Sequence, residues 1–150
     1  MSAYAADYKH LQIRMVAQYD SALTGASDLT VRFNADSANN YSRHYLKGDG
    51  TTITNDEYAS VNSVGAFDVI PGNGGGATNF GVATIDILDF SAGPTEYKNT
   101  TVRVLAGALS SSKTTVRLSS GVWRDTAAVT SVYLGDTFAT NSRFSIYGVR

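Results

Sequence analysis

Cysteine is absent from the 150 residues. Disulfide scaffolds, thiolate metal sites, iron–sulfur clusters and thiol catalysis are therefore excluded together. Charge is sparse and balanced: 12 Lys+Arg against 13 Asp+Glu leave a net −1, without the basic footprint of a nucleic-acid binder. No apolar run approaches the roughly 20 residues of a membrane-spanning helix, and no charged-then-apolar leader precedes Leu11, so neither membrane insertion nor secretion is expected. Helix formers are few as well. Glu, Gln and Lys together number only 8, which argues against a helical fold.

What is present favours strands. Val 13, Ile 6, Thr 16 and 16 aromatics are 51 residues that suit a pleated surface. Ser, Thr, Asn and Gly cluster between the apolar runs, where turns need positive φ or local side-chain hydrogen bonds. At 15.9 kDa the chain is one domain, long enough to bury about two-thirds of its unfolded surface without covalent staples.

Alternation of period two runs through Leu11–Tyr19, with Leu11, Ile13, Met15, Ala17 and Tyr19 on one face and Val16 as the exception on the other. Strands are also predicted at Leu29–Asn34, Tyr41–Lys47, Gly65–Ile70 and Phe80–Phe90, the last long enough to be central. A weakly patterned stretch after Gly50 is predicted to hold one helical turn near Asn55–Ser60. Pro71-Gly72-Asn73-Gly74-Gly75-Gly76 reads as an exposed loop tip. Thr100–Leu109 and Thr114–Trp123 form a predicted hairpin around a four-residue loop. Because Val116 and Leu118 share one parity and Trp123 the other, a bulge at Ser119-Ser120-Gly121 is expected. Val129–Leu134 and Arg143–Val149 close the pattern. Eight or nine strands, with connections too long for plain hairpins, predict an all-β, two-sheet antiparallel sandwich of jelly-roll type over residues 11–150. Phe33, Ile85, Ile87, Val104, Val116 and Phe144 are its predicted core. Residues 1–10 are predicted to be an N-terminal arm, with Tyr4, Tyr8 and His10 as its contact residues.

Chemistry-bearing patterns are weak. His10 and His44 lack a second histidine at ligand spacing. No Gly-x-Ser-x-Gly elbow occurs, and the glycine run lacks the Gly-Lys-Ser/Thr ending of a phosphate loop. Two acceptor-rich loops, one with Asn34, Asp36, Asn39 and Asn40 and one from Asp49 to Glu57, miss the calcium-loop register and read as Asx turns. Asp86 and Asp89 could form a glycosidase carboxylate pair but read better as an outward face. Tyr41, Tyr45, Tyr97, Trp123, Tyr133 and Tyr147 suit core or subunit contacts better than sugar stacking. No cofactor, metal or catalytic group is expected.

Three segments carry a resemblance. They are Leu29-Thr30-Val31-Arg32-Phe33-Asn34-x-Asp36-x-x-x-Asn40-Tyr41-Ser42, then Ile85-Asp86-Ile87-Leu88-Asp89-Phe90, and Asn141-Ser142-Arg143-Phe144-Ser145-Ile146-Tyr147-Gly148-Val149. Together they resemble a group of small jelly-roll proteins of tailed bacteriophage virions, with Asn141 where Gly is common and Val149 where Ile is common. The resemblance implies a structural protein rather than an enzyme. Its expected form is a homotrimeric head decoration protein on the outer surface of the major capsid protein lattice, assembled in the bacterial cytoplasm. The second expectation is a tail or baseplate module that recognises host glycans, and the third is a soluble carbohydrate-binding module.

Overall fold

A computed structural model describes residues 7–76, 78–90, 99–109 and 114–150, with backbone alone at 66, 67, 99–109 and 114. The chain is all-β and antiparallel, with ten strands among the described residues: β1 (His10–Ala17), β2 (Ala26–Phe33), β3 (Tyr41–Gly48), β4 (Ile53–Val61), β5 (Val64–Pro71), β6 (Gly81–Ile87), β7 (Asn99–Leu109), β8 (Thr114–Arg124), β9 (Val132–Leu134) and β10 (Arg143–Val149). They form a seven-stranded sheet in the order β10-β1-β6-β7-β8-β3-β4 and a three-stranded sheet in the order β5-β2-β9. An eight-strand jelly roll divides its strands evenly; the division here is seven and three.

Alternation places the core. Leu11, Ile13, Met15 and Ala17 of β1 and Ala83, Ile85 and Ile87 of β6 are buried on the inner face of the large sheet. Leu29, Val31 and Phe33 of β2 close over them with Val64, Val69 and Ile70 of β5. Close approach between the sheets needs a missing side chain at Gly121 of β8, where a Cβ would stand 2.5 Å from the Val64 side chain. Toward the β3–β8 end the interlayer becomes ionic. The buried Arg117 guanidinium donates to Asp68 Oδ2 at 2.7 Å, and Lys47 Nζ reaches the same oxygen at 3.2 Å.

Several expectations are corrected. The stretch Asn55–Ser60 is part of β4, not a helical turn; as an edge strand exposed almost throughout, it has no buried face to impose alternation. β8 carries no bulge: its register to β3 and β7 is unbroken, and Thr115, Arg117, Ser119, Gly121 and Trp123 all face inward. The parity of Trp123 is the core parity, so Val116 lies outside, 60% exposed, and is not core. The apolar pair Val116 and Leu118 misleads because the inner face of β8 before Trp123 is built from the polar and small residues Thr115, Arg117, Ser119 and Gly121, with Arg117 bonded to Asp68. Phe144 is not core either; it sits on the edge strand β10, half-exposed, with its ring edge-on to Phe138 at 4.9 Å. Phe33, Ile85 and Ile87 are fully buried. Val104 stands in register between Ile85 and Ser119.

The glycine-rich run is exposed at Gly74 and Gly76, as expected of a tip, but it is packed rather than free. Gly72 is buried, and a Cβ at Gly74 would stand 2.1 Å from the Ala22 carbonyl oxygen, so glycine is required there by contact. The buried Gln18 holds the loop from below, its Nε2 donating to the carbonyls of Gly76 at 2.8 Å and Asn79 at 2.9 Å.

Candidate interaction surface

The first recognisable motif builds a corner. After β2 the chain turns through Asn34 and Ala35, both at positive φ. Tyr41, opening β3, reaches back into that turn: its hydroxyl accepts from Phe33 N–H at 3.0 Å and lies 3.1 Å from the Asp36 carbonyl. Asp36 accepts from Trp123 Nε1 at 2.8 Å, Ala38 N–H at 2.9 Å and Asn40 Nδ2 at 3.0 Å. These bonds, the Trp123 bond foremost, hold its carboxyl below the usual carboxylate range. Asn34 Oδ1 accepts from Thr130 N–H at 2.7 Å and Ser131 N–H at 3.2 Å, tying in the strand-entry segment of β9. The Asn34–Asn40 loop is thus occupied by internal Asx contacts, as is Asp49, which accepts from Thr51 and Thr52 N–H. Among the described residues no group of three or more His, Cys, Asp or Glu could hold a metal ion. Tyr41 and Trp123 are buried, so neither is available to stack on a sugar.

The sequence-predicted arm residues fall as follows. Tyr4 lies outside the described residues. The Tyr8 ring lies on Gly148 of β10, where a Cβ would come 2.4 Å from it, and Arg150 stands over that ring at 5.8 Å. His10 begins β1, and its Nδ1 accepts from Asp89 N–H at 3.0 Å. Lys9 N–H donates to the Val149 carbonyl at 3.0 Å. Tyr8 and His10 are therefore engaged by their own chain, at opposite neighbours.

The larger surface feature is the outer face of the seven-stranded sheet, which no other element among the described residues covers. Cross-strand register arranges it in rows. One row runs Arg143, Val16, Val82, Gly107, Val116, Gly48, Ile53 from β10 to β4. Val16, Val82, Val116 and Ile53 are 43%, 50%, 60% and 75% exposed. The next row holds Ser145, Arg14, Thr84, Leu105, Leu118, Leu46 and Asn55, in which Leu118 and Leu46 are again half-exposed. The third is polar: Tyr147, Gln12, Asp86, Arg103, Ser120, His44 and Glu57. Gln12 Nε2 donates to Asp86 Oδ1 at 2.8 Å, and His44 Nε2 lies 2.9 Å from Glu57 Oε2. Arg14 Nε donates to Gln12 Oε1 at 2.8 Å, with its guanidinium 5.1 Å from the Tyr147 ring centre.

Two shallow troughs lie along the apolar row. One of about 470 Å³ is bounded by Val16, Val82, Val116 and Arg143, and one of about 220 Å³ by Leu46, Ile53, Val116 and Leu118. Contiguous apolar surface rimmed by polar groups on one sheet face is the chemistry of a protein contact. Sequence reading missed this face, although one signal was visible: Val16, the exception in the β1 alternation, is its first apolar member on that strand. No protein-family model, curated protein or solved structure matches the chain.

Proposed function

We propose that this chain is a structural virion protein of a tailed bacteriophage: a homotrimeric head decoration protein that binds the outer surface of the major capsid protein lattice. The observation that carries the assembly role is the apolar sheet face that the described residues leave uncovered, which gains most from being placed against another protein. The placement in a virion rests on the resemblance of the three segments. In the structure those segments form the β2–β3 corner, the end of strand β6 with the turn after it, and the edge strand β10, so what they encode is framework. The finer fold is a two-sheet sandwich of jelly-roll type. It is supported by one shared core between the sheets and by remote strands lying side by side, β10 by β1, β8 by β3 and β9 by β2.

Copy number tests the reading. Quantitative mass spectrometry of purified phage particles from the producing host is expected to give about one chain per major capsid subunit. A ratio of a few per hundred assigns the chain to the tail and favours the glycan-recognition alternative. Absence from particles refutes both.

A further inference from the structure

β7 is the fourth of the seven strands and so the midline of the large sheet. Consider a two-fold axis lying along β7, above the outer face. It carries β6 of one copy over β8 of the other, β1 over β3 and β10 over β4, while each cross-strand row stays over its own counterpart. In the apolar row two of the superposed pairs suit one another, and at the rim Arg143 comes over Ile53. In the apolar row Val82 comes over Val116 of the second copy. Val16 comes over Gly48, where a side chain would find nothing within 4 Å and a neighbour's valine has room.

In the polar row Arg103, on the axis strand, comes over its own counterpart, and the complementary positions lie to either side of it. Arg14, drawn toward that row by Gln12 and Tyr147, comes to the side of Glu57, because Tyr147 superposes on Glu57. Gln12 superposes on His44, which brings Asp86 of one copy beside His44 of the other. Arg14 of each copy thus meets Glu57 of the other, twice per pair. Area is sufficient: seven strands at about 4.8 Å spacing and about seven residues of length make a face of roughly 29 by 23 Å. Burying two such faces removes about 1,300 Å² in total, within the class of specific stable interfaces.

We infer that the outer face of the seven-stranded sheet docks a second copy of this chain about a two-fold axis along β7. The inference gives the face that carries the assembly role a second copy as its occupant and does not depend on the virion placement; within that reading it is the contact that joins neighbouring trimers. The absence of cysteine allows a direct test on the full chain. Val82→Cys and Val116→Cys are made separately, both at half-exposed positions, with emission of the buried Trp123 as the check on folding. Each variant alone, and an equal mixture, are treated with a short bismaleimide. The two-fold register requires the cross-linked pair in the mixture at about tenfold the yield of either variant alone. Equal yields in all three samples, or no cross-link, overturn it. Analytical ultracentrifugation gives a second measure: Val116→Arg is expected to weaken the two-fold association by at least about tenfold, since it buries an unpaired charge. An association state unchanged by Val116→Arg, or a wild type with no even-numbered assembly at high micromolar concentration, refutes the inference while leaving the copy-number result untouched.

Discussion

Asp36→Ala tests whether the β2–β3 corner is held as described. The substitution removes the acceptor of the Trp123 Nε1–H bond and leaves an indole N–H within a buried side chain without a partner. Loss of one charge-assisted bond with a buried donor costs about 2–3 kcal/mol. The Ala38 N–H bond is exposed and adds little, because water can replace the carboxylate there. For a chain of this size the cost corresponds to a fall in Tm of roughly 5–10 °C. Trp123 is the sole tryptophan, so its emission reports unfolding from the corner itself, and circular dichroism reports the whole sheet. The effect must depend on pH. The carboxyl is held below its ordinary value in the folded state, so its contribution is present above the unfolded pKa of about 3.8 and is lost as pH falls through the folded value. The gap between wild type and Asp36→Ala should therefore narrow below about pH 4. A Tm change under about 2 °C at pH 7, or a gap that persists unchanged at low pH, would refute the account.

Three further outcomes follow from packing and burial. In urea unfolding at dilutions where the chain is monomeric, Phe33→Ala should cost about 3–5 kcal/mol, whereas Val116→Ser should stay within about 0.5 kcal/mol; the reverse order would mean the faces of β8 are misassigned. The Tyr19 hydroxyl donates to the Asp28 carbonyl at 2.9 Å, and burial, with nearby Asp136, pushes its pKa up to about 12. The unfolded chain loses that proton near pH 10 while the folded one retains it, so stability should fall as pH rises from about 10 to 12. Tyr19→Phe should flatten that part of an alkaline denaturation curve, and an unchanged slope would contradict it. Gln18→Leu leaves the Gly76 and Asn79 carbonyls without their donor and should cost about 2–4 kcal/mol, seen as a lower urea midpoint; a neutral result would mean the loop holds itself.

The fold class was legible because one-sided burial writes period two into the chain. β1, β2 and β6 each bury one face against the other sheet, and their alternation is nearly free of exceptions. The pattern failed where burial no longer sorts residues by polarity. β4 has no covered face, so nothing distinguishes its two sides. β8 buries Arg117 and Ser119 and exposes Val116 and Leu118, an inversion that local pattern cannot reveal. The charge that makes Arg117 welcome inside comes from Asp68, 49 residues earlier. The candidate surface was hidden for the same reason. Its members come from strands spread along the chain, and only register brings Val16, Val82, Val116 and Ile53 into one line.

The pairing of β1 sets the order in which the large sheet can close. One edge of β1 is taken by β6 and the other by β10, with Met15 opposite Phe144, 129 positions along the chain. Loop-closure entropy is spent before either contact is gained, so folding should be slow, in the milliseconds-to-seconds regime of all-β chains. During synthesis β1 emerges before both of the strands that complete it. Its apolar stripe and open edge must wait for two much later segments, and in that interval the nascent chain is most exposed to pairing with the wrong strand.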